Sequence, residues 1–375
     1  MKSLPKLILG LGVILGLYGF WSFTSQGHTG LGYTSYVPWG LWVVFYTSLV
    51  GMSVGAFLVT FLAYGLGIST MKPAARVAPV ISLVSLFAGL LFIVLDLGHW
   101  ERVFNLLFSL NPRSPMAYLG WLYLLYTLLL LFLLGALRGG KEDSLTRLAL
   151  AGLVISFFVA LGEGSLFSVL RARIYWNNGL TLLRYLAGAY MAGVALTLLL
   201  ASSWKGLQDS LRPLSRLSLG LVLISFFLEL IDLGVAFNSG NAHELEAHRM
   251  VLFGSGAWLF WLIQLGLGVV LAAALLWNGQ KTGRTGTLGL AASAVLLGYL
   301  AAKFNLVLPG QQTSLLPGLV EAFSHPKLVL SYAPTSAEVL VVIGLLSLAG
   351  LATIYLTEIF TTPGSTSAVK GRVQA

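Results

Sequence analysis

Ten stretches of about twenty residues, each nearly free of charge, follow one another through this chain. A helix needs about 20 apolar residues to cross the hydrocarbon core of a bilayer. Inside that core every backbone N–H and C=O must be paired within its own segment, which leaves a helix as the natural answer for such runs. The chain therefore reads as an all-α polytopic membrane protein. Its spans are expected at about 4–22, 38–66, 79–99, 117–137, 147–171, 182–202, 215–237, 251–277, 287–307 and 336–360. The overall balance agrees: 57% of residues are hydrophobic and 9% charged, against an apolar share of about 45–50% in soluble domains.

No connection between these spans is long enough for a soluble domain, so residues 1–360 form one integral membrane domain. Residues 1–37 hold the first helix and an outer loop. A weak internal repeat divides the remainder. Asp96-Leu97-Gly98 in helix 3 returns as Asp232-Leu233-Gly234 in helix 7, 136 residues later. At nearly the same offset Gly120-Trp121 answers Ala257-Trp258, and Gly51 answers Gly188. Two four-helix bundles are expected, helices 2–5 over 38–171 and helices 6–9 over 182–307, flanked by helices 1 and 10 (336–360). Parallel repeats of this kind are related by an axis along the membrane normal. The Thr-, Ser- and Gly-containing tail 361–375 is expected to be disordered.

Lys and Arg set the orientation. Fourteen of the 22 fall at the N-terminus, on the even-numbered connections or in the tail; Arg102, Arg113, Arg171, Arg173, Arg184, Arg249, Lys303 and Lys327 make up the other eight. Both termini should thus be cytoplasmic, in a bacterial or archaeal inner membrane. Lys2 and Lys6 ahead of an apolar run resemble a signal peptide, but no small-x-small cleavage site follows, so the segment reads as an uncleaved first helix. Nine of the 13 acids and all five histidines lie towards the outer face. The chemistry belongs there.

Several classes drop out. With no cysteine the chain holds neither disulfides, iron–sulfur ligation nor thiolate metal sites. Every histidine sits in a loop or at an outer helix end, so no axial pair for haem faces itself inside the bundle. The net charge of +9 is scattered over loops rather than gathered on one face, and nucleic acid is not a partner.

Charged side chains inside a bilayer cost about 2.5–3.5 kcal/mol, so those that persist are paired or functional. Seventeen uncharged residues, Pro79–Leu95, precede Asp96. Asp96 and His99, three apart, should share a helix face; the competing reading is an interfacial pair that caps the helix. Glu163 lies sixteen positions after Arg147 and eight before Arg171. It reads either as a buried proton-exchanging acid or as a structural partner of Arg171 or Arg173. Glu229 and Asp232 form the equivalent cluster in helix 7, and Lys303 and Glu338 complete a set of polar groups. Lys303 could simply pair with one of these acids. Tyr33, Tyr36, Trp39 and Trp42 read as an interfacial aromatic belt or as walls of a flat ring-binding pocket. Gly51 and Gly55 form a G-x-x-x-G suited to close helix packing.

These residues carry a resemblance. Pro38-Trp39-Gly40-Leu41-Trp42, Asp96-Leu97-Gly98-His99 with Arg102, and Asn111-Pro112-Arg113-Ser114-Pro115-Met116 come first. Glu163-Gly164, Arg171-Ala172-Arg173, Trp176, Lys303-Phe304-Asn305, Gly310-Gln311 and Tyr332-x-Pro334 with Glu338 follow. In this order they resemble the membrane subunit of polysulfide reductases and NrfD-type complexes, in the ten-helix form of some periplasmic hydrogenases. The resemblance implies a haem-free, quinone-reactive subunit with menaquinone or ubiquinone bound as substrate towards the outer face of the first bundle. It also implies an extracytoplasmic iron–sulfur subunit leading to a catalytic subunit, a molybdopterin enzyme or a hydrogenase. Asp96 would be the family's acid and His99 the basic residue after the glycine. Two departures stand out. Trp100 replaces a common proline, and Gln264 replaces a glutamate common in helix 8, which counts against a proton path through helices 6–9.

The expected activity is electron exchange between the quinone pool and the iron–sulfur partner, with this chain one subunit of the enzyme. His99 would hydrogen-bond a quinone oxygen, Asp96 or Glu163 would exchange protons, Tyr36, Trp39 and Arg102 would help bind, and Arg102 and Arg113 would help seat the partner. No ionisable residue lies deep in the cytoplasmic halves of the helices, so protons should exchange on the outer side. The rival readings are a secondary transporter and a plain membrane anchor for a periplasmic enzyme.

Overall fold

The computed structural model describes residues 3–361 apart from 109, 110, 112, 113, 141, 315, 317, 319 and 323. Arg113 and the 362–375 tail lie outside the described residues. Among those described, ten helices are long and apolar enough to cross a membrane. They are α1 (Ser3–Gln26), α2 (Leu41–Thr60), α3 (Ala78–Asp96), α4 (Pro115–Gly139), α5 (Glu142–Ser168), α6 (Gly179–Ser203), α7 (Leu211–Asn238), α8 (Leu259–Thr282), α9 (Thr285–Val307) and α10 (Ser336–Thr361). The all-helical polytopic fold read from the sequence is what the chain adopts.

Local chemistry sets many of the ends. Prolines open α3 and α4, where a missing N–H costs nothing. Asn178 caps α6 by accepting from the Thr181 N–H at 2.9 Å. Gly140 and Gly283, at φ +64° and +67°, close α4 and α8 in the left-handed region.

Among the described residues the helices surround two large apolar cores, with two small clusters beside them. One gathers Trp42, Phe57, Phe92, Tyr126, Leu130 and Phe167 from α2 to α5. The other gathers Leu198, Leu214, Val222, Leu276, Leu288 and Val295 from α6 to α9. α2 and α6 pack against each other between them, and α1 runs along α10. Gly55 meets Gly193 where α2 crosses α6; a Cβ on either would strike the other's backbone. The G-x-x-x-G in α2 is thus a packing device, and its second glycine sets the approach of α6.

Two expected boundaries shift, and both matter for the site. α3 ends at Asp96 rather than near residue 99, because Leu97 leaves the helical region (φ −75°, ψ 84°) and Gly98 follows. His99 opens a separate 3-10 turn, Trp100–Phe104. The expected span at 251–277 starts too early, because residues 251–253 end a separate element. A short helix, Ala242–Phe253, is capped by the Asn241 side chain and stops at Gly254. α8 then starts at Leu259 and runs to Leu271 as a π-helix.

Candidate functional site

Three polar clusters gather at the end of the bundle where α3 finishes and α10 begins, or along the helices leading to it. The first centres on Asp96. Tyr33, in the 31–40 loop, donates its hydroxyl to Asp96 Oδ1 at 2.5 Å. Burial and the neighbouring carboxylate hold the Tyr33 phenol above its ordinary pKa, so it remains a donor. No cation forms an ion pair with Asp96 among the described residues. Tyr332 stands beside Tyr33, with ring centroids 5.9 Å apart.

Glu338 stands behind the two tyrosines, and its surroundings explain it. Thr335 and Glu338 form a capping box at the start of α10: the Thr335 N–H donates to Glu338 Oε2 at 2.8 Å and the Glu338 N–H to Thr335 Oγ1 at 3.4 Å. The Gly32 N–H (2.9 Å) and the Tyr332 hydroxyl (2.6 Å) also donate to this carboxylate. Glu338 therefore ties the 31–40 loop to α10. It does not join Glu229, Asp232 and Lys303, as its grouping by sequence had it.

His99 and Arg102 do not face Asp96. With α3 ended at Asp96, the three-residue spacing no longer places His99 on its face. His99 Nδ1 instead lies 3.0 Å from Glu101 Oε1, both side chains more than half exposed, and Arg102 is not buried. An exposed pair of this kind contributes little to stability. Trp39 stacks on Trp176 (centroids 5.4 Å, 24°), meets Phe167 edge-on, and is held through its backbone by Gln311. Tyr36 lies in the same loop.

The second cluster surrounds Glu163, which is fully buried in α5. Tyr185 of α6 donates to Glu163 Oε2 at 3.1 Å. The Tyr46 hydroxyl of α2 also faces this carboxyl and shares a 2.7 Å hydrogen bond with the Tyr123 hydroxyl of α4. Lys303 of α9 lies over the Tyr185 ring, with its Nζ 3.2 Å from the centroid. Neither Arg171 nor Arg173 forms an ion pair with Glu163; Arg173 donates to the Thr313 carbonyl at 2.9 Å. Hydroxyls from three helices thus surround one buried acid, an arrangement able to hand a proton along hydrogen bonds.

The third cluster lies between α6, α7 and the short helix Ala242–Phe253. Arg184 bonds Glu229 at 2.7 Å and also bonds Asp232. His248 Nε2 lies 3.1 Å from Asp232 Oδ2, while its Nδ1 meets the Glu244 carbonyl at 2.8 Å. Lys303 pairs with neither acid. In the sequence the first Asp-Leu-Gly runs straight on to His99 and Arg102, while neither a histidine nor an arginine closely follows the second. The fold does the reverse: Asp232 has both Arg184 and His248, and Asp96 has a tyrosine.

Sequence reasoning passed over Tyr46, Tyr185, Arg184 and His248 as site residues. Arg184 had one signal, since a basic residue inside the start of an apolar span calls for an acid. His248 had none, because its partner lies on another element. Among the described residues no three His, Asp or Glu side chains converge as a metal site requires.

The sequence profile of the family described as polysulphide reductase, NrfD, matches residues 31–315. A subunit of the selenate reductase of Mesobacillus selenatarsenatis is 28% identical over 406 aligned positions, covering 96% of this chain and 95% of that one. The Hdr-like menaquinol oxidoreductase integral membrane subunit of Archaeoglobus fulgidus is also 28% identical, over 94% and 92% of the two chains. One of the polypeptides of the polysulfide reductase of Wolinella succinogenes is 27% identical over 73% of this chain and 95% of its own length. A polypeptide in the structure of the bd oxidase from Geobacillus thermodenitrificans shares the fold, with a TM-score of 0.56 over 95% of this chain and 98% of its own, at 13% identity.

Proposed function

Because this chain belongs to the polysulphide reductase NrfD family, we propose that it is the quinone-reactive membrane subunit of a respiratory oxidoreductase. It exchanges electrons between the membrane quinone pool and an extracytoplasmic iron–sulfur subunit, which passes them to or from a separate catalytic subunit. The observation that carries this reading is the Asp96–Tyr33 pair: an acid at the end of an apolar helix, bonded to a phenol and without a cation paired to it among the described residues. A structural anchor gains nothing from such a pair, whereas quinone chemistry needs it.

Interconversion of quinone and quinol moves two electrons and two protons. The electrons pass to or from the iron–sulfur partner. The protons are handled by groups that the chain supplies near the site. Tyr33 holds Asp96 in position and stays protonated, and Asp96 exchanges a proton with the ring oxygen. Glu163, which accepts from Tyr185 and is faced by Tyr46, itself bonded to Tyr123, is the second acid. His99 is too exposed to sit over a buried ring. With Arg102 it belongs to the surface on which the iron–sulfur subunit docks. The distribution of Lys and Arg supports cytoplasmic termini, which puts the polar clusters on the outer side, and the protons are exchanged there.

The test is binding of a quinone analogue to the complex purified through this chain. Saturable binding, competed by menaquinone or ubiquinone, supports the reading. A complex that binds no quinone and still transfers electrons normally would reduce the chain to an anchor, and solute uptake by liposomes containing it would make it a transporter.

A further inference from the structure

A cavity of about 420 Å³ opens among α6, α7, α8 and α9, and none of its lining residues belongs to the Asp96 cluster. Its size falls within the range of about 300–1,000 Å³ typical of small-molecule sites. Most of the wall is apolar and aromatic, with Phe226, Leu230, Phe260, Trp261 and Leu265 prominent. Leu230 and Trp261 are each 46% exposed on helix faces that meet lipid, so the mouth opens to the membrane.

Two polar groups inside it lack acceptors among the described residues. Gln264 accepts from Asn305 Nδ2 at 2.7 Å, which leaves its own amide N–H groups free to donate. Lys303 rests on the Tyr185 ring and donates no hydrogen bond within the same set of residues. Both residues are at least nine-tenths buried. The π-helical turn of α8, a form that proteins concentrate at functional sites, carries Gln264 and Leu265 in the cavity wall.

The charges select the occupant. Arg184 is engaged by two carboxylates, Glu229 and Asp232, and Lys303 faces the charge of Glu163. Arg184 and Lys303 are the lining cations, and the carboxylates that answer them, Glu229 in the lining with Asp232 and Glu163 behind it, leave no positive surplus to hold a phosphate. We propose that this cavity is a second binding site, taking a neutral, membrane-dissolved ring that bears carbonyl oxygens: a quinone. One carbonyl accepts from Gln264 and another from Lys303, while the apolar wall encloses the ring and the lipid-facing mouth passes its tail. Tyr185 and Lys303 form the wall shared with Glu163, so the site borders the buried acid.

The experiment irradiates the purified complex, in phosphatidylglycerol nanodiscs, with a photoreactive naphthoquinone and maps the labelled peptides. Label is expected in residues 259–271, displaced by menaquinone and not by added phosphatidylglycerol. Gln264→Leu should weaken labelling there about tenfold, the effect of one lost hydrogen bond to the ligand. Leu230→Trp, a change at a half-exposed position on the mouth, should block it while leaving assembly unchanged. Absence of label from this segment overturns the proposal. So does label displaced by phospholipid and not by menaquinone, which would make the cavity a groove for lipid tails, or label unaffected by both variants. Label around residues 92–108 is read separately in the same digest, so failure at Asp96 and failure here are distinguishable.

Discussion

At the scale of single residues, the chain keeps two kinds of acid in its spans. Glu229 and Asp232 are ion-paired: both are held by Arg184, and Asp232 also by His248. Asp96 and Glu163 meet hydroxyls instead, and the proposed chemistry rests on them. The two kinds should respond differently to substitution. Arg184→Ala leaves two acids without their cation, and breaking a fully buried pair costs about 3–5 kcal/mol, an upper bound for this partly buried one. The variant is expected to assemble poorly and to lose thermal stability, measured by yield and by a melting curve in detergent. Normal stability would show that the ion pair is dispensable. Glu163→Gln keeps the shape and can still accept from Tyr185 at the carbonyl. It should assemble normally while quinone turnover falls about 100-fold, the low end of what one acid–base group supplies. Unchanged turnover would return Glu163 to a packing role.

At the scale of elements, the loop 31–40 and the start of α10 form a single unit, and Glu338 is its clasp. Thr335→Ala removes half of the capping box and should lower stability by about 1 kcal/mol, with turnover little changed once the protein is assembled. A melting curve together with a turnover assay checks this; a loss of turnover without loss of stability would mean that Glu338 takes part in the chemistry. The helices themselves were legible in the sequence, because span length and hydropathy are local properties. Close packing at Gly55 was legible too, since the G-x-x-x-G spacing states it. The setting of each polar residue was not. Asp96 and His99 look paired by spacing, yet one helix end between them separates their fates. Asp232 looks grouped with Glu229, Lys303 and Glu338, yet its histidine arrives from a short helix, Ala242–Phe253, that lies mostly outside the span expected from hydropathy. Such pairings depend on contacts between elements far apart in the chain, which no local pattern encodes.

At the scale of the whole molecule, the polar clusters sit towards one side of the bilayer. The other half of the bundle is bound together by apolar cores and by hydroxyls such as Ser53, which donates to the Ser82 carbonyl at 2.7 Å. The proposed proton exchange on the outer side therefore predicts an electroneutral reaction. Oriented proteoliposomes with a pH dye on the cytoplasm-matching face should report no proton change coupled to turnover. A stoichiometric change there would require a path across the bundle and would overturn the one-sided account. The central claim is tested most directly by quinone turnover of the Asp96→Asn complex. Asparagine preserves the shape and can still accept from Tyr33, so the complex should assemble with its partners and bind them normally. Turnover should fall at least about 100-fold. Wild-type turnover in that variant would contradict the account.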